Sequence, residues 1–92
     1  MQMTSESMRM RKTVHNVFAR EMVQFAQRLE GALTEGDIAE AISAFSGMSA
    51  FMKEAGDPAW RALVCIAHAE GCTREHILEV NRRAVAEATG NE

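Results

Sequence analysis

The stretch SESMRMRKTVHNVFAREMVQFAQRLEGAL, Ser5 to Leu33, decides the fold. It contains no proline, and its first glycine is Gly31. Apolar residues recur at Val14, Phe18, Met22, Phe25, Leu29 and Leu33, in steps of three or four that mark one face of a helix. At about 1.5 Å per residue such a helix runs roughly 40 Å. A compact chain of 92 residues has a radius of gyration of only about 12 Å. The helix is therefore expected to outrun its own domain and to lend Met10, Val14, Phe18, Met22, Phe25 and Leu29 to a second chain or a partner.

Three further helices complete the reading, giving spans of about 5–33, 35–55, 58–70 and 74–89. Thr34 reads as a helix N-cap with Asp37 in the capping-box position. The second helix carries a large apolar stripe, Ile38, Ile42 (or Ala41), Phe45, Met48 and Met52. It also carries a small one, Ala39, Ser43, Ser46 or Gly47, and Ala50. Glycine inside a helix costs about 1 kcal/mol relative to alanine, so Gly47 points to a tight helix crossing. Gly56 reads as a left-handed C-cap, Asp57 as the next N-cap and Pro58 as the first residue of helix three, where no N–H is required. Trp60 then anchors the start of a helix whose run Ala62–Ala69 is apolar nearly all round. Gly71 ends it, and Thr73 caps a fourth helix with Ile77, Leu78, Ala84, Val85 and Ala88 inward. The tail from Gly90 is expected to fray. Nothing reads as a strand, so the expectation is a single all-α domain over 1–92, paired or intertwined as a dimer.

Composition narrows the function. Arg9, Arg11, Lys12, Arg20 and Arg28 outweigh Glu6, Glu21 and Glu30 in residues 1–33, whereas residues 34–92 carry five basic and ten acidic groups. That is not the basic footprint of a strong nucleic-acid binder. The cluster Arg9, Arg11, Lys12 and His15 reads as the solvated end of a helix. The first residues show no apolar leader segment and no run reaches a membrane span. With two cysteines, the reading is a cytoplasmic chain with free thiols. No glycine-rich phosphate loop occurs, and no serine or cysteine has an evident base and orienting partner. A non-enzymatic protein without a cofactor is expected.

Two constellations carry alternatives. AHAEGCTREHILEV, Ala67 to Val80, resembles the helix-turn-helix family: Ala67, Gly71, Ile77 and Val80 stand at its small, turn and two buried apolar positions. The resemblance, extended over 63–81, implies DNA binding through the fourth helix, with Thr73, Arg74, Glu75, Glu79 and Arg82 at the groove. Glu75 and Glu79 would then approach phosphates, which favours a plain structural corner instead. Cys65, His68, Cys72 and His76 form C-x2-H-x3-C-x3-H. Zinc accepts such ligands, but the spacing matches no zinc motif, and buried apolar roles for the cysteines are the simpler reading, so no metal is expected. A cross-link between chains through Cys65 or Cys72 is the other open use.

In its size, all-helical pattern and Met-rich opening (Met1, Met3, Met8, Met10), the chain resembles the small anti-activators with which some bacteria sequester LuxR-type quorum-sensing receptors. The resemblance implies a homodimer that binds the receptor and blocks its dimerisation or DNA binding. It carries over no functional residue. The expected activity is accordingly regulation by protein–protein binding, with a transcription factor as the candidate partner. A helix-turn-helix regulator is the alternative.

Overall fold

The computed structural model describes residues 5–90, and every regular element in them is helical. Met1 and Met3 of the Met-rich opening, and the tail beyond Gly90, lie outside the described residues. The elements are α1 (Ser5–Val14), a π-helical turn (His15–Ala19), α2 (Arg20–Glu35), α3 (Ile38–Ala69) and α4 (Arg74–Thr89). The first three run on without a break, since the backbone at Val14 and Arg20 stays right-handed helical. The described residues therefore form three rods, where the sequence predicts four helices.

The missing boundary is Gly56-Asp57-Pro58. These residues lie inside α3, which passes through Pro58. Neither Gly56 nor any residue near it is left-handed; positive φ occurs at Gly36, Gly71 and Gly90. Proline in a helix interior removes one hydrogen bond and costs about 3 kcal/mol. Here Glu54, Asp57 and Pro58 are all exposed, so the orphaned carbonyl turn faces solvent. The inner face keeps its phase straight across it: Ala41, Ala44, Ala59 and Ile66 are buried. A break at Pro58 would put those residues out of register. Trp60 thus stands in mid-helix and not at a helix start.

The first corner also differs from expectation. Thr34 is helical and donates from Oγ1 to the Glu30 carbonyl at 2.9 Å. The left-handed residue is Gly36, at φ 74°. Asp37 N–H reaches back to the Ala32 carbonyl at 2.9 Å, closing a Schellman turn. Asp37 is itself the cap of α3, accepting from Glu40 N–H at 3.1 Å. The second corner repeats the device as the sequence predicts. Gly71 has φ 93°, Cys72 N–H bonds the Ala67 carbonyl at 2.9 Å, and Thr73 Oγ1 accepts from His76 N–H.

The π turn explains an irregular spacing. Met10, Val14, Phe18 and Met22 lie four apart three times running. In an α-helix each step of four overshoots a turn by about 40°, so the set would wind by about 120° around the rod. One extra residue in a π turn takes back most of that. The stripe stays on one face, and that face meets α3.

The N-terminal rod and α3 are nearly equal in length and pack as a hairpin. The rod does not outrun its fold, because the merged α3 matches it. At their crossing Phe25 lies over Gly47, where an added β-carbon would sit 2.7 Å from Phe25 Cε1. The tight crossing expected at Gly47 is therefore present. Phe51 stacks on Phe18 with ring centroids 5.6 Å apart and meets Phe25 at 6.0 Å. Arg28 sits over the Phe25 ring and bonds Glu40 at 3.0 Å. The fourth helix contacts α3 alone, and no residue in it is buried. Leu78, Ala84, Val85 and Ala88, expected to face inward, are exposed; only Ile77 among them is half-buried.

Candidate protein-interaction surface

The packing leaves much apolar surface uncovered. The accessible area is 7009 Å²; a compact monomer of this mass exposes about 5,300 Å². The Cα radius of gyration is 16.0 Å, against the roughly 12 Å of a compact chain of this length. The uncovered side chains are organised. Along α3, Ile38, Ile42, Phe45, Met52, Trp60 and Leu63 range from 67% to 41% exposed. At 3.6 residues per turn they fall within an arc of about 80°. Ile38, Ile42, Phe45 and Met52 among them are most of the large apolar stripe that the sequence shows. The core uses the neighbouring face instead, because Ala41, Ala44 and Gly47 allow the N-terminal rod to come close. Of the expected small stripe, Gly47 lies in that contact and Ser43 at its edge, where Arg28 Nη2 donates to its Oγ at 3.5 Å; Ala39, Ser46 and Ala50 are exposed.

At its C-terminal end the α3 ridge runs into an open groove of about 430 Å³ between α3 and α4. Trp60, Leu63 and Val64 line it from one side, and Ile77, Val80 and Ala84 from the other. One end is closed by an ion pair that the sequence does not disclose. Arg11 Nε donates to Glu70 Oε2 at 2.9 Å, and its Nη2 donates to Oε1. Glu70 is 5% exposed and Ser7 is fully buried beside it. Glu70 is also the C-cap of α3, where a carboxylate opposes the helix dipole. The Arg11 guanidinium, with a further hydrogen bond from Ser7, holds the Glu70 carboxyl below its ordinary pKa although burial pushes the other way. Arg11 is thus a clamp between the N-terminal rod and the second corner, and not part of a purely solvated cluster. The only sequence signal for it is a charged residue at a predicted helix C-terminus, which needs a cation.

The six residues proposed from sequence as an interface, Met10, Val14, Phe18, Met22, Phe25 and Leu29, are all half-buried. Phe18 and Phe25 give one side to Phe51 of the same chain. Leu33, the last member of the stripe, is exposed. Beside that stripe Met8, Val17 and Val23 are exposed as well.

Of the DNA-binding candidates, Thr73, Glu79 and Arg82 are otherwise engaged. Thr73 is spent as a cap. Arg82 grips Glu79 through Nε and Nη2 at 3.1 and 2.8 Å, and Arg83 joins the same carboxylate at 3.2 Å. Those arginines hold the Glu79 carboxyl below its ordinary pKa. Arg74 opens α4 and is exposed. Val80, which would seat the second helix of a helix-turn-helix unit, is 52% exposed. Cys65, His68 and His76 are exposed and Cys72 is half-buried. Among the described residues no three His, Cys, Asp or Glu side chains are placed to hold a metal ion. Among them, too, no helix is long and apolar enough to cross a membrane.

Compared with known proteins, the chain matches no family model, no curated protein and no solved structure.

Proposed function

We propose that this chain is a small regulatory protein that acts by binding other proteins, with a homodimer as its working form. The observation that carries the reading is the continuous apolar ridge and groove of α3 and α4. Most of their large side chains lie in water, while the α3 residues in the core are Ala41, Ala44, Ala59 and Ile66. Soluble monomers rarely expose contiguous apolar surface on this scale, and such surfaces mark interaction sites. Helix-in-groove recognition requires shape and apolar anchors and no catalytic residue. The half-open flank of the N-terminal rod, Met10 to Leu29, supplies a second contact surface whose position is fixed by Phe51 and Gly47.

The partner class is a larger transcriptional regulator, which the chain sequesters. The resemblance to anti-activators of LuxR-type receptors supports that choice. The acidic C-terminal two thirds and the Glu79–Arg82–Arg83 cluster argue against α4 reading DNA directly. The test is a gel-shift titration with a LuxR-type receptor bound to its operator. The chain should release the receptor from DNA in a dose-dependent way and should give no shift alone. A discrete, salt-sensitive complex between the chain and DNA would overturn the reading in favour of the helix-turn-helix alternative.

A further inference from the structure

We infer that the α3 ridge is the self-association surface, and that a second copy of this chain lies on it antiparallel, centred between Ala50 and Phe51. The inference rests on the dimeric part of the function proposed above and names the surface responsible. It places self-association on α3, outside the Met10–Leu29 stripe.

The ridge positions are 38, 42, 45, 49, 52, 56, 60 and 63, steps of four and three as in a helix-pairing seam, with one doubled step of four between 52 and 60. Two of them break the run of large side chains: Ser49 and Gly56. Reversing the helix about its midpoint sets Phe45 of one copy opposite Gly56 of the other, and Met52 opposite Ser49. Ile38 then meets Leu63, and Ile42 meets Ala59 with Trp60 one residue further along. Every large residue faces a small one or an apolar mate. A parallel pairing would instead stack Phe45 on Phe45 and leave Gly56 facing Gly56 across a void. A two-fold axis makes such a contact self-complementary, since what fits at one end fits at the other. The groove gives the same answer. Trp60, Leu63 and Val80 form an apolar recess at the C-terminal end of α3, while Ile38 projects at the opposite end of the same helix. Antiparallel pairing delivers each Ile38 to the other copy's recess. Within one chain Met52 Sδ lies only 2.7 Å from where a Gly56 β-carbon would be, so the thioether lies over the vacancy. Methionine has the rotamer freedom to yield it to an incoming ring. A stable interface buries about 800 Å² per partner; the whole chain's accessible area of 7009 Å² exceeds that of a compact monomer by about twice that amount, an excess to which the ridge contributes.

The test uses full-length chain with Cys65→Ser and Cys72→Ser, to which Ile38→Cys or Leu63→Cys is added. The two versions are treated with a short bismaleimide separately and after refolding together, alongside sedimentation of the untreated proteins. The expected result is a cross-linked dimer from the mixture and none from either version alone. Phe45→Glu, at an exposed position, should weaken association about a hundredfold or more, because it places a charge in a desolvated contact, with helical circular dichroism unchanged. Cross-linking of Ile38→Cys to itself would mean a parallel pair and overturn the inference. A dimer by mass that no mixture cross-links, and that Phe45→Glu leaves intact, would overturn it too, while leaving the dimeric reading standing on another surface. A monomer by mass at all concentrations would remove both.

Discussion

Phe25 of α2 occupies the space that a side chain on Gly47 of α3 would need, with 2.7 Å between Cε1 and the position of a β-carbon. This one approach sets how closely the two longest rods pack, and it decides which face of α3 is core. Gly31 is the natural comparison, since a β-carbon there meets nothing within 4 Å. Gly31→Ala should stabilise the protein by up to about 1 kcal/mol through helix propensity. Gly47→Ala gains the same propensity but must displace a ring held against Phe51, and overpacking costs about 1–3 kcal/mol. Urea melts should place Gly47→Ala below Gly31→Ala by that margin. Equal stabilities would show that the crossing is loose.

Pro58→Ala tests the continuity of α3. If Pro58 is interior, alanine restores a hydrogen bond and should raise stability by about 1–3 kcal/mol with helix content unchanged or higher. If Pro58 instead opened a helix, the same change would be neutral or destabilising. Chemical denaturation together with circular dichroism distinguishes the two.

The π turn can be removed outright. Deleting Asn16, which is exposed, should convert the segment to regular α-helix and leave Val14 and Met22 facing α3. Stability should stay within about 1 kcal/mol of the parent, because only the extra residue is lost. Deleting Gln24 instead rotates Phe25 and Leu29 by about 100° relative to Phe18 and should lower stability far more. The two deletions are compared by thermal melts.

The Arg11–Glu70 clamp predicts a direction of pH dependence. The folded protein holds the Glu70 carboxyl below its unfolded pKa of about 4.3. Its contribution to stability is thus fully present above that value and is lost as pH falls through the lower folded value. Glu79 shifts in the same sense. Urea midpoints should fall as pH drops below about 4.3, and Glu70→Gln should show a shallower fall while being less stable at pH 7. A variant with the full wild-type slope would show that the clamp does not hold the rod.

Much of this architecture is legible in the residues themselves. The uninterrupted run to Leu33, the Gly71–Thr73 corner and the tight contact at Gly47 all follow from local chemistry. Gly36-Asp37 was equally readable, but Thr34 offers a competing cap three residues too early. Gly56-Asp57-Pro58 has every local mark of a boundary, and the helix ignores it because the buried faces on either side share one phase. That is a tertiary fact, invisible in the tripeptide. The same holds for the core. Ile38, Ile42 and Phe45 look like an inner stripe by hydrophobicity, yet Ala41 and Ala44 are buried because small residues let a second helix approach. Ser7 and Glu70 meet although they lie far apart in sequence, and no local pattern joins them.

Sedimentation equilibrium of the unmodified chain is the most direct check on the claim that its exposed ridge is made to be covered. The expected species has twice the 10.2 kDa chain mass at micromolar concentration. A single species of 10.2 kDa, unchanged up to the solubility limit, would contradict it.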